Sequence, residues 1–312
     1  MILTFAAVAA MAFTPHTDTT LAVGSAETRL VIENFAGDVS VGVWSKNSIR
    51  IEADHSSRTD IEIERDGSTV TVKSENRRGA PSSVDYRITL PATVAVEISG
   101  TYADVTVEGT KADISAETVR GDINVTGGAG HIALQSVEGD VTLEKSRGRA
   151  ELQSVNAGVK VVGLEGDLVA ETVNGEVSLE DIRGNTVEAS TVNGDVLYDG
   201  VLREGGSYRF ATHNGDITVS VPPQASANVS VTTYSGEFDS DFPIRVTSSH
   251  KNRRMRFTLG SGAAELELES FQGAIHLMNK ANSVPPAEKS KDKDKTKSKD
   301  KTKDENPNPE GK

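Results

Sequence analysis

The sequence predicts an all-β chain: a parallel β-solenoid with two short strands in each coil of about 18 residues, entered through a strand-rich N-terminal cap. Three observations predict it. The phrase [Ser/Thr]-Val-x-Gly-[Asp/Glu] recurs as Thr118–Asp122, Ser136–Asp140, Ser154–Gly158, Thr172–Glu176 and Thr191–Asp195, at steps of 18 residues and finally 19. No Phe, Trp or Tyr occurs between Ala103 and Leu197, as expected where a flattened coil leaves an interior too thin for rings. Apolar residues alternate with period two, and no stretch of ten residues in the folded part reads as a helix. An antiparallel meander folded into a β-sandwich would also repeat every two strands. The in-register return of Ser/Thr and Gly favours the stacked solenoid.

Residues 1–13 are apolar or small and end in Ala10-x-Ala12, which reads as a signal-peptide-like segment. The run is too short for a membrane span, which needs roughly 18 residues or more. Residues 14–27 read as a polar spacer, and 28–102 as the N-terminal strands and cap. Within that cap, Arg29–Glu33, Asp38–Trp44, Ser48–Glu52, Asp60–Glu64, Thr69–Lys73, Tyr86–Pro91 and Val94–Ile98 all alternate like half-buried strands. Arg65-Asp66-Gly67-Ser68 is placed to turn a hairpin.

Residues 103–197 are the regular repeats. Each 18-residue unit divides into two halves of nine. Positions three and five of a half are apolar, and position eight is apolar in several copies, as at Val155, Leu164, Val173 and Ile182. Gly121, Gly139, Gly175, Gly194, Gly215 and Gly236 stand at the turns, where glycine permits positive φ without steric cost. One unit buries too little apolar surface to offset the ordering of its own backbone, so units must stack. About eight coils are expected. Residues 198–279 read as irregular coils and a C-terminal cap, continued by His213–Asp216 and Tyr234–Glu237 and closed by the Phe271–Leu277 copy. Residues 280–312 are a Lys/Asp-rich tail too polar to fold.

Composition narrows the function. Without cysteine there is no disulfide framework and no thiolate metal site. The formal charge is −13; residues 288–312 hold nine Lys and seven Asp/Glu, net +2, so the remainder carries −15. An acidic body argues against nucleic acid as the partner.

The Gly-[Asp/Glu]-[Val/Ile] repeats, Leu90-Pro91 ahead of them, and Gly260-Ser261-Gly262 followed by Phe271-Gln272-Gly273-Ala274-Ile275 resemble the bacterial DUF4097 β-strand-repeat family, whose members carry the working name adhesin. The likeness covers roughly Thr28 to Asn279. It implies an exported, envelope-associated β-solenoid and supplies no catalytic or ligand residues.

Candidate chemistry is sparse. Asp122, Asp140, Asp167, Asp195 and Asp216 could form a calcium ladder, since calcium takes six to eight oxygens. The column is interrupted, and turn aspartates that cap their own backbone are the commoner arrangement. Six scattered histidines lack metal-ligand spacing, and no nucleophile elbow or phosphate loop is present. No cofactor is therefore expected. Tyr198, Tyr208, Phe210 and Tyr234 could stack on sugars if exposed, or else fill a cap core. The expectation is a non-catalytic, exported envelope protein, periplasmic or on the cell surface, that binds an envelope polymer or surface protein. The alternatives are a partner-binding or sensing module and a polysaccharide-active β-helix enzyme.

Overall fold

In the computed structural model, residues 15–24, 29–76, 79, 81–244, 248–250 and 254–281 are described, those at 248–250 by backbone alone. The signal-like segment and the Lys/Asp-rich tail lie outside them. Every described element is a strand, and these form one sheet of 13 strands and one of 14. Neighbouring repeats pair in parallel and in register. Ile114 lies beside Ile132, Ile132 beside Ala150, Ala150 beside Leu168 and Leu168 beside Val187. The opposite sheet stacks Ile123, Val141, Val159, Val177 and Val196 in the same way. This is the two-strand solenoid; the antiparallel meander is not formed.

Inward side chains of the two sheets meet in one continuous, mainly aliphatic core. The reason lies in the pleat: with period two, positions three and five of each half point to the same side. Position eight behaves differently in alternate halves. Leu164 and Ile182 are buried, whereas Val155 and Val173 are substantially exposed. The backbone explains the split. At one corner the residue before position eight enters the left-handed region, as Gly127, Lys145, Gly163 and Asp181 do, and this turns position eight inward. At the other corner Ser or Thr occupies the inward site and the following Val faces outward.

Ten levels stack, where the repeats alone suggested about eight. The first is 29–44, which pairs in parallel with 95–108. Asn34-Phe35-Ala36-Gly37-Asp38 is thus a copy of the corner phrase within the expected cap. Levels 114–126, 129–144, 147–162, 168–182, 186–200 and 207–221 follow in chain order. The order then breaks. The last coil, 265–279, lies between 207–221 and 227–240, so the Phe271 copy does not close the body. The returning strand Arg254–Leu259 pairs antiparallel with Ala227–Thr233 and carries the chain back to that slot.

At the opposite end Thr59–Asp66 and Thr69–Asn76 form the expected hairpin, with Gly67 at φ 57°. The supposed spacer contains an edge strand, His16–Ala22, antiparallel to Ser48–Asp54. Its threonines suit a pleated edge, and Arg50 reaches across to grip Asp18 with two hydrogen bonds of 3.0 and 2.7 Å.

Rings enter the core where the repeat lengthens. Tyr198 packs on Phe210 at 4.8 Å and on Tyr208 at 6.1 Å. The longer connection around Val201–Gly206 wraps them: Tyr208 Oη donates to Gly184 O and accepts from Arg203 N, each at 2.8 Å. A Cβ on Gly200 would stand 2.5 Å from Tyr198 Oη, so the glycine makes room for the ring.

Candidate functional site

The corner built by the repeated phrase is the most regular surface of the molecule. Its inward Ser or Thr hydroxyl donates to the carbonyl of the corner residue one level earlier. Ser136 reaches Gly121 O, Ser154 reaches Gly139 O, Thr172 reaches Ala157 O and Thr191 reaches Gly175 O, at 2.8–3.1 Å. Thr212 and Ser270 continue the series to Gly194 O and Gly215 O. These hydroxyls give the half-buried corner carbonyls a partner.

The corner glycines are needed for close approach. A Cβ on Gly139 would lie 1.9 Å from Gly121 O, on Gly194 1.9 Å from Gly175 O, and on Gly236 1.7 Å from Gly273 O. Of the six turn glycines, Gly121 alone has positive φ, at 140°. The expectation that they serve left-handed turns is corrected: they let one backbone pass against the next.

The corner aspartates are also committed. Asp104 Oδ1 accepts from Asp122 N, Asp122 Oδ1 from Asp140 N, and Asp140 Oδ1 from Gly158 N, at 2.8–2.9 Å. Asp195 and Asp216 do the same for Asp216 N and Ala274 N. Each carboxylate caps the next level's backbone rather than its own. Asp167 belongs to the opposite corner, where it accepts from Thr186 N at 3.0 Å. Glu176 takes the aspartate place in its level, and burial, with Asp195 nearby, pushes its carboxyl upward. The other acidic grouping, His16, Asp18 and Glu52, has Arg50 set among its carboxylates, 2.7 Å from Asp18 and 3.1 Å from Glu52. That guanidinium holds the Asp18 carboxyl below its ordinary range.

With Ser/Thr turned inward, the next residue of the phrase stands on the outside. From one end of the solenoid to the other that column reads Phe35, Thr101, Val119, Val137, Val155, Val173, Val192, His213, Phe271 and Tyr234. Val119 is 48% exposed and Tyr234 is 54% exposed. The rung spacing equals the separation of hydrogen-bonded strands, about 4.8 Å, so planar side chains in the column lie face to face. His213 stacks on Phe271 at 4.6 Å and 8°, and Phe271 on Tyr234 at 4.7 Å and 9°. At the other end Phe35 meets Tyr102 edge-on at 5.6 Å, and Arg120 lies over the Tyr102 ring.

Beside this ridge runs an amide ladder. Asn174 Nδ2 donates to Asn156 Oδ1 at 3.1 Å, Asn193 Nδ2 to Asn174 Oδ1 and Asn214 Nδ2 to Asn193 Oδ1, both at 2.8 Å.

Of the four aromatic residues singled out in the sequence, three cannot meet a ligand in this structure. Tyr198 and Tyr208 are 1% exposed and Phe210 is 0% exposed, because the widened coil encloses them. Tyr234 is apart from them, on the ridge. The partners it stacks in line with, Phe271 and His213, went unnoticed in the sequence. Aligning the residue after each corner Ser, Thr or Asn would have found them, since that place is almost always bulky and apolar.

The architecture is that of a parallel two-sheet β-solenoid with antiparallel strands closing both ends. The family model Toastrack DUF4097 matches residues 27–278, and the chain belongs to that family. The crystal structure of a candidate cell adhesion protein from Clostridium sporogenes ATCC 15579 is 10% identical, with 86% of this chain and 100% of that chain covered and a TM-score of 0.24. That of a candidate adhesin from Bacteroides fragilis NCTC 9343 is 15% identical, covering 85% and 97%, with a TM-score of 0.46. Likeness at this level carries no functional implication. No curated protein matches the chain. Among the described residues no helix is long and apolar enough to cross a membrane.

Proposed function

We propose that this protein is an exported, non-catalytic binding element of the bacterial envelope, adhesin-like, which holds an envelope polymer or a surface protein along the corner ridge. The observation that carries the reading is the ridge itself: a largely apolar column running through ten successive levels and exposed at eight of them. In most levels the inward Ser/Thr, the glycine and the aspartate of the corner serve the stacking itself. It does not require an apolar residue facing water, and extended exposed apolar surface marks interaction sites. Export is supported by the apolar segment 1–13 ending in Ala10-x-Ala12.

The test is retention of envelope material by the immobilised full-length chain, beside a Val155→Glu/Val173→Glu variant. The native chain should retain a polymer or surface protein that the variant loses, with both keeping the same thermal transition. Equal retention by the two would remove the ridge from the function.

A further inference from the structure

The ridge has a chemistry more specific than apolar exposure. Resting on the reading above, we infer that its ligand is an extended, uncharged polysaccharide lying parallel to the solenoid axis.

Shape comes first. Ten rungs at about 4.8 Å each form a track roughly 45 Å long, of which the part without charged neighbours, from Val155 to Tyr234, spans six rungs. A track repeating one contact many times suits a ligand that also repeats, and a rung is close in length to one pyranose residue.

Hydrogen bonding comes second. An asparagine side chain carries two N–H donors and two acceptor lone pairs. In the ladder Asn174 and Asn193 each use one donor and one acceptor on their neighbours. Both keep a second N–H and a second lone pair beside the valine column. A hydroxyl-rich chain can both donate and accept along this ladder. An acyl chain or an apolar peptide face would leave those groups unmatched when it covered them.

Charge comes third. From Val155 to Tyr234 the ridge and the residues following it along the corner are Val/Asn, Val/Asn, Val/Asn, His/Asn, Phe/Gln and Tyr/Ser, with no carboxylate, Lys or Arg. They are bordered by Glu176, Asp195, Asp216 and Glu237 in a body whose net charge is −15. A polyanion approaching this strip meets like charge, and a polycation finds stronger sites on the acidic faces than on the neutral track.

The aromatic stack sets the expected energetics. His213, Phe271 and Tyr234 lie face against face, so a sugar chain runs along ring edges and valine methyls, not on an open ring face. Each rung then contributes little, and affinity accumulates with the number of rungs engaged. Strong dependence on chain length is therefore the signature of this site.

The experiment is calorimetric titration of the full-length chain with cello- and chito-oligosaccharides from dimer to octamer, alongside a neutral glycan array. Oligogalacturonate and oligolysine of matched length serve as charged controls. Affinity should rise at least tenfold from dimer to octamer, change little with added salt, and exceed that for either charged control. The Val155→Glu/Val173→Glu variant should lose at least tenfold while keeping its thermal transition. An Asn174→Leu/Asn193→Leu variant should lose binding and remain folded, since its ladder is replaced by apolar contact. Equal affinity for dimer and octamer, preference for a charged oligomer, or retention of no neutral glycan would overturn the inference. If envelope material is still retained through the ridge while no neutral glycan is, the glycan inference falls and the binding reading stands. If neither is retained, both fall.

Discussion

At the residue scale the corner shows how small differences decide what a position can hold. A Cβ on Gly194 would lie 1.9 Å from Gly175 O, whereas one on Gly42 meets nothing within 4 Å. Both glycines are outside the left-handed region, so the contrast isolates steric approach from φ. Gly194→Ala is expected to cost about 3 kcal/mol or more, because two backbones must move apart. Gly42→Ala, in the strand Val39–Trp44, should be neutral or stabilising by up to about 1 kcal/mol. Equilibrium denaturation of both variants checks this, and equal losses would refute the close-approach account. The sequence displayed these glycines plainly but not their reason. Glycine for a turn and glycine for backbone contact look the same in one dimension, and only the stacking of levels separates them.

At the element scale the half-repeat was legible and its asymmetry was not. Positions three and five alternate in both halves, so strands and core faces could be read directly. Position eight holds Val155 and Val173 outside but Leu164 and Ile182 inside, and all four look alike in the sequence. The deciding residues are Lys145 and Asp181 at φ 53° and 52°, with glycines in the equivalent levels. A non-glycine residue gives little warning that it will adopt that conformation. The same limit hid the ridge, because an apolar residue at position eight reads alike whether it faces in or out.

The buried tyrosines carry an element-scale prediction of their own. Burial pushes the Tyr86 phenol up to about 12, and raises Tyr198 and Tyr208 as well. A phenol whose folded value lies above the ordinary value of about 10 favours folding at lower pH. That stability is fully present below about pH 10 and is lost as pH rises toward the folded value. Phenolate absorbance should therefore show these three tyrosines ionising together with loss of the β-sheet circular dichroism signal. Their ionisation ahead of unfolding would contradict their burial.

At the scale of the whole molecule, chain order and spatial order agree through eight levels and then part. Composition and period announced a stacked solenoid, but nothing local in 265–279 states that it fits between two earlier coils. The information is in pairing. Ser270 Oγ finds Gly215 O and Asp216 Oδ1 finds Ala274 N, contacts 55 and 58 residues apart. A chain truncated after Gly262 would lose the coil that joins 207–221 to 227–240. It should lose the single cooperative thermal transition, whereas truncation after Ala281 should preserve it. If the shorter chain melted like the longer, the last coil would be a dispensable cap.

The inserted coil also decides how the protein would carry load. The chain leaves the solenoid after Ile275–Asn279, a strand with a parallel neighbour on each side. Tension applied there must open two ladders, one on each side of the strand. At the far end His16–Ala22 is held by one neighbour at the rim of its sheet. Pulled from both ends, the molecule should give way at that rim and remain gripped at the inserted strand, which makes the C-terminal side its mechanically stronger anchor.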